Sequence, residues 1–236
     1  MMSGVRRTGP VVCVALIAGS LLSGCVTTVG GAAVRAPGGP SSIDVPILAE
    51  SDLDHVLLSP GAVNGIMGAT GIRVTASSED LSDNSDGVSD LDCLGAIYGA
   101  ERLVYGGSDW TALRDQVLQE PTSDNEHWVE QIAVLFPSAD KAHAFVENSR
   151  ATWEKCGGTS IDIDNSDVHS TWKIDDADVS GDILTQTSTQ RNAGGWGCQH
   201  ALSAAANLVV ESWACSDAIT DEARSIAAAM LENAAK

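Results

Sequence analysis

Basic side chains are scarce in this 236-residue chain: 13 lysines and arginines stand against 32 aspartates and glutamates, for a net charge of −19. That balance excludes nucleic acid as a partner, because phosphate would be repelled where a binding protein must replace its counterions with lysine and arginine. Catalytic signatures are lacking too. The nearest approach to a G-x-S-x-G nucleophile elbow, Gly106-Gly107-Ser108-Asp109-Trp110, has tryptophan in place of the closing glycine. There is no H-E-x-x-H zinc helix, and His55, His127, His143, His169 and His200 are scattered along the chain. Acid pairs such as Asp175-Asp176 arise by chance among 32 acids. The acid-rich stretch Ser77 to Asp92 fails as a calcium loop, since the register set by Gly87 puts Cys93 where a bidentate glutamate belongs. These absences predict a protein without catalysis of its own, without a cofactor and without a metal site.

Long apolar runs are missing as well. The stretch Val11 to Leu22 holds 12 residues, too few to span a bilayer. It follows Arg6 and Arg7 and leads into Leu22-Ser23-Gly24-Cys25, the pattern of a bacterial lipoprotein signal. Cysteine is needed at that point because its thiolate takes the diacylglycerol before a peptidase cuts in front of it. The sequence therefore predicts a signal peptide over 1–24 and a lipid anchor of the palmitate type on Cys25. It places the chain on the extracytoplasmic face of the cell membrane. A mature chain would carry −21, because both leader arginines leave and no acid does. Anionic headgroups repel such a chain, so the lipid must do the anchoring.

With Cys13 in the leader and Cys25 lipidated, Cys93, Cys156, Cys198 and Cys215 remain. An oxidising compartment predicts two disulfides among them. Of three possible pairings, spacing favours Cys93 with Cys156 and Cys198 with Cys215. The second pair lies symmetrically about Ala206-Asn207, so a hairpin turning there sets the two cysteines across from each other. That register also pairs His200 with Trp213, Leu202 with Glu211 and Gln199 with Ala214, and it puts Gln199 on the face opposite the disulfide.

Residues 25–52 are rich in glycine, alanine, serine and proline and read as a flexible tether, leaving 53–236 as one domain. Within it a helix is expected from Pro60, capped by Ser59 and stopped at Gly68. Strands are expected at Ile72 to Thr75, Glu101 to Tyr105, Thr111 to Gln119, Trp128 to Phe136, Ser170 to Ile174 and Gly181 to Gln190, followed by the cysteine hairpin. Between Ser138 and Lys155 the apolar period becomes helical, as it does again from Thr220 to the C-terminus. The fold class expected is α+β, an antiparallel sheet of about six to seven strands flanked by helices, with two disulfides and a cleft.

Several segments carry a resemblance. Asp92-Cys93-Leu94-Gly95, Gln116-Val117-Leu118, Val129-Glu130-Gln131 leading to Leu135-Phe136-Pro137, Trp153-Glu154-Lys155-Cys156-Gly157, Gly195-Trp196-Gly197-Cys198-Gln199 and Ala214-Cys215 together resemble the extracellular sensor domain of the mycobacterial serine/threonine kinase PknH and its stand-alone lipoprotein relatives. The resemblance spans about Leu53 to Lys236. It implies a mixed α/β domain with the disulfide pairing above and a cleft for a small ligand. The chain departs from the kinase pattern in lacking a kinase domain, so a signalling role would need a partner.

Aromatics are few apart from tryptophan, with 6 Trp beside 2 Tyr and 2 Phe. Trp110, Trp128, Trp172, Trp196 and Trp213 lie next to polar groups rather than in apolar runs. Such indoles ordinarily pack in or around a core with one hydrogen-bond partner, and they also suit a cleft wall. Gln131, Arg191, Trp196 and Gln199, from segments in or near the matching pattern, are the expected wall. Arg191 is either a surface ion-pair partner or the group that selects a carboxylate or phosphate. The function expected is a lipid-anchored envelope protein that binds a small polar ligand or another envelope protein. The alternative is a structural or lipid-carrier lipoprotein with a large apolar pocket.

Overall fold

The computed structural model describes residues 43–121, 126–165 and 168–236. The leader, Cys25 and the first part of the tether lie outside the described residues. Residues 43–52, assigned above to the tether, pack on the domain. Val45 is buried in the core, and Leu48 exchanges hydrogen bonds with Asn207, donating N–H to Oδ1 at 2.8 Å and accepting from Nδ2 at 3.0 Å. The apolar side chains Ile43, Val45 and Leu48 make this segment part of the core edge.

In chain order the elements are α1 (Leu53–Val56), α2 (Pro60–Met67), β1 (Arg73–Ser78), α3 (Leu94–Ile97), α4 (Arg102–Tyr105), β2 (Ala112–Gln119), β3 (Trp128–Leu135), α5 (Ala139–Cys156), β4 (Ser160–Asn165), β5 (Val168–Ile174), β6 (Asp178–Ser180), β7 (Ile183–Gln190), β8 (Gly197–Ala205), β9 (Leu208–Ser216) and α6 (Glu222–Ala234). Among the described residues the strands form a single antiparallel sheet in the order β1-β2-β3-β9-β8-β7-β5-β4, with β6 paired to β7. Nine strands are present among the described residues against the six to seven expected: β4 and β6 are additional, and the expected strand Glu101 to Tyr105 is not one of them. None of the described helices is long and apolar enough to cross a membrane.

Helices cover both sheet faces, so the central strands are buried on two sides and lose the polar alternation of a half-exposed strand. On β3, Val129, Ala133 and Leu135 join the core under α1, α2 and α6, while Ile132 and Val134 join the core under α3, α4 and α5. Helix α2 starts where Ser59 Oγ accepts from Ala62 N at 3.3 Å and Pro60 needs no amide partner, and it ends at Gly68 in the left-handed region, φ 67°. Ser138 caps α5 in the same way, accepting from Lys141 N at 3.3 Å.

The segment Glu101 to Tyr105, expected as a strand, is helical from Arg102. In a strand Glu101, Leu103 and Tyr105 would share a face, yet Leu103 is 59 % exposed while Glu101 and Tyr105 are both 1 % exposed. That is the i, i+4 pattern of a helix turn, closed by Tyr105 N donating to Glu101 O at 2.9 Å.

The two disulfides are Cys93–Cys156 and Cys198–Cys215. The first ties the segment entering α3 to the end of α5. The second crosses β8 and β9 at a facing pair with Cα atoms 4.0 Å apart. The hairpin register pairs Gln199 with Ala214, His200 with Trp213 and Leu202 with Glu211 about the Ala206-Asn207 turn, as sequence symmetry requires.

Candidate functional site

Beyond the ends of α3 and α5, the sheet face that those helices cover elsewhere stays open as a cleft of about 590 Å³. Strand parity decides what faces it. Trp128 and Glu130 come from β3, Trp172 from β5, Ser188 and Gln190 from β7, Cys198 from β8, and Trp213 and Cys215 from β9. Trp196 reaches in from the turn before β8, and Ile97, Tyr98 and Gly99 form the opposite lip. The Cys198–Cys215 disulfide packs with the indoles of Trp128, Trp172, Trp196 and Trp213 in a cluster of their own. Four of the chain's six tryptophans therefore line one concavity.

Gly99 is required at the lip. A Cβ there would lie 2.6 Å from Ile132 Cδ1, 3.1 Å from Glu130 Oε2 and 3.2 Å from Trp213 Nε1. A side chain would thus push the loop off the groups it covers. Ser188 Oγ and Trp213 Nε1, on two residues of the lining, have no hydrogen-bond partner among the described residues, and both atoms are covered rather than open to the cleft. Both residues are more than nine-tenths buried.

Under the cleft lies a polar layer within the α5-side core. Trp213 stacks on His200, whose other face meets Trp153, with ring centroids 4.1 Å apart in each case. Burial holds the His200 imidazole below its ordinary pKa, so the ring is neutral and its Nε2–H donates to Glu211 Oε1 at 2.8 Å. Glu211 Oε2 accepts from Tyr105 OH at 2.8 Å and Ala100 N at 3.2 Å. Burial, then the Glu211 charge, pushes the Tyr105 phenol well above its usual value.

Asp115 and Glu130, on neighbouring strands, are hydrogen-bonded to each other. Burial first, then the charge of Glu211, raises Asp115 to about 7. Burial, then Asp115 and Glu211, raises Glu130 well above the carboxylate range, so Glu130 holds the proton and donates it to Asp115. Glu101 is raised by burial as well, though Asn84 donates to it from both side chain and backbone. The layer is thus rich in acid and, among the described residues, holds no lysine or arginine close to the pair.

Of the expected wall, Trp196 lines the cleft and three residues do not. Gln131 follows Glu130 on β3 and so points to the opposite face, where it clamps Leu58, accepting from its N at 2.7 Å and donating to its O at 2.9 Å. Gln199 likewise follows Cys198 to the α6 side. There Oε1 accepts from Arg224 N at 3.1 Å and Nε2 donates to Thr220 O at 2.7 Å, closing the first turn of α6. Arg191 is exposed in the turn after β7, tied by its backbone N–H to Thr171 O at 2.8 Å. The residues that sequence reasoning passed over are Glu130, Ser188 and the Ile97–Gly99 lip. A lone glutamate inside the apolar β3 run was the available signal for the first.

A profile of the PknH-like extracellular domain family matches residues 48–233. The serine/threonine-protein kinase PknH of Mycobacterium bovis is 34 % identical over 232 residues, which is 98 % of this chain and 38 % of that protein. PknH of Mycobacterium tuberculosis is likewise 34 % identical, over 98 % of this chain and 37 % of its own length. The chain thus spans well under half of the kinases it matches. The crystal structure of the extracellular domain of PknH from Mycobacterium tuberculosis superposes with a TM-score of 0.77 at 36 % identity, covering 80 % of this chain and 97 % of that one. By profile, identity and fold, this chain belongs to the PknH-like extracellular domain family.

Proposed function

We propose that this protein is a lipid-anchored binding protein of the cell envelope, held to the extracytoplasmic membrane face through Cys25, whose tryptophan cleft takes a small ligand without turning it over. The observation that carries the ligand reading is a concavity of about 590 Å³ on which four of the chain's six tryptophans converge together with Glu130 and Ser188. Apolar walls with a few convergent polar groups are the usual composition of a small-molecule site. The reading without turnover rests on the sequence, which carries neither a G-x-S-x-G elbow nor an H-E-x-x-H helix.

Two disulfides suit an oxidising compartment, and the signal-like Leu22-Ser23-Gly24-Cys25 supports the anchor. The anchor is tested by Cys25→Ala, which should move the protein from the detergent-soluble membrane fraction to the aqueous fraction and remove a diacylglyceryl mass. The ligand reading is tested by native mass spectrometry of the chain purified gently from its own host. A bound species present in the wild type and lost in Trp172→Ala/Trp196→Ala supports it. Co-purified long acyl chains would point to the lipid carrier instead.

A further inference from the structure

We propose that the tryptophan cleft selects an organic cation, an amine or quaternary ammonium group on an apolar or aromatic body, with the indoles around the charge and the carboxyl pair of Glu130 and Asp115 as its counter-ion. This rests on the reading of the cleft as a ligand site and names the chemistry of what enters it.

The charge of the lining decides the sign. Glu130 and Asp217 are the charged side chains that face the cleft, and among the described residues no lysine, arginine or histidine does. An anion would therefore meet repulsion with no cation to receive it. Arg191, the expected anion selector, stays outside. The groups behind Glu130 reinforce the same field: Asp115 from β2, Glu211 from β9 and Glu101 from the residue before α4, while His200 from β8 is neutral and Tyr105 is held as a phenol. In a low-dielectric layer such a field reaches the cleft with little screening.

The walls fit the same ligand. Indole faces carry negative quadrupole potential and are the best of the aromatic surfaces for a cation, the more so where water is excluded. Trp128, Trp172, Trp196 and Trp213 line one volume, and Trp213 gives one of its faces to His200.

A proton is linked to binding. With Asp115 raised to about 7 and Glu130 raised beside it, the Asp115–Glu130 pair carries two protons below about pH 7 and shares one above it. A fixed positive charge beside Glu130 favours the ionised pair, so the cation enters as a proton leaves to solvent, and affinity rises with pH.

The test titrates the full chain by indole fluorescence with phenyltrimethylammonium, its uncharged isostere tert-butylbenzene, and benzenesulfonate. Because the quaternary group has no titration of its own, any pH dependence belongs to the protein. The cation is expected to bind roughly tenfold tighter than the isostere, with benzenesulfonate weaker still. Its affinity should rise several-fold between about pH 6 and about pH 8. Glu130→Gln/Asp115→Asn, which removes both carboxyls of the pair, should lose the tenfold preference and flatten the pH profile while leaving tert-butylbenzene binding unchanged. Trp196→Ala, at a half-buried site, should weaken the cation and the isostere together. Equal affinity for cation and isostere in the wild type overturns cation selection and leaves the cleft reading standing. An equal loss for all probes in that double variant overturns the counter-ion assignment. Cation binding untouched by Trp196→Ala, or no binding by any probe, overturns the proposal and the cleft reading with it.

Discussion

Glu211 shows how much one side chain can hold at the centre of this domain. Its carboxylate accepts from Tyr105 OH, Ala100 N and His200 Nε2, binding α4, the loop before it and β8 to β9. Glu211→Ala would leave those donors buried and unpaired, and is expected to destabilise the domain by about 3–5 kcal/mol in urea unfolding. A loss below about 1 kcal/mol would mean that the three donors find other partners.

Asp115 gives a pH prediction with a definite sign. Its folded pKa of about 7 lies above the ordinary aspartate value of 3.8, so between those values the folded state binds a proton that the unfolded chain has released. Stability should therefore fall as pH rises from about 4 through about 7, and Asp115→Asn should make that slope shallower, leaving the part that the raised Glu130 contributes. Equal slopes in wild type and variant would place the effect in the general self-repulsion of an acidic chain instead. Gly99→Ala should cost about 1–3 kcal/mol by thermal melt and distort the lip of the cleft, because its Cβ would meet Ile132 Cδ1 at 2.6 Å. None of these roles was readable in sequence. An acid in an apolar run signals a buried charge, but only the cross-strand register tells which other acids it meets.

At the scale of elements, legibility tracked local pattern. The caps of α2 and α5 were readable because Ser59, Gly68 and Ser138 each satisfy or terminate the backbone by themselves. The β8–β9 register was readable because a disulfide at a facing pair fixes it. By contrast, β4 was missed although Ile161 and Ile163 alternate with Asp162 and Asp164, and both isoleucines are buried. Acid-rich alternation reads as a loop when composition is weighed above period. Gln131 and Gln199 were assigned to the cleft from their neighbours in sequence, and strand parity sent both to the other face. Gln199 acts there as a remote cap for α6, so Gln199→Ala is expected to cost about 1 kcal/mol in urea unfolding, with little effect on the cleft. Reduction of Cys93–Cys156, which closes a separation of 63 residues, should cost more than that of Cys198–Cys215, which closes 17. On the chain-entropy account the values are about 4 and about 3 kcal/mol.

At the scale of the whole molecule, a nine-stranded antiparallel sheet with helices on both faces leaves one stretch of one face uncovered. That gap collects four tryptophans from β3, β5, β9 and the turn before β8, segments that lie up to 85 residues apart in sequence. Their convergence could not be read along the chain, although the excess of tryptophan over other aromatics could. The PknH-like extracellular domain thus carries, in this chain, an indole-walled cleft over an acid layer. The central claim is that this cleft is a binding site, and the most direct measurement is native mass spectrometry of the host-purified protein beside its Trp172→Ala/Trp196→Ala variant, each compared with a denatured control. The account predicts a noncovalent adduct on the wild type that the variant lacks while both keep two disulfides. A bare mass for the wild type, or an adduct retained in full by the variant, would contradict it.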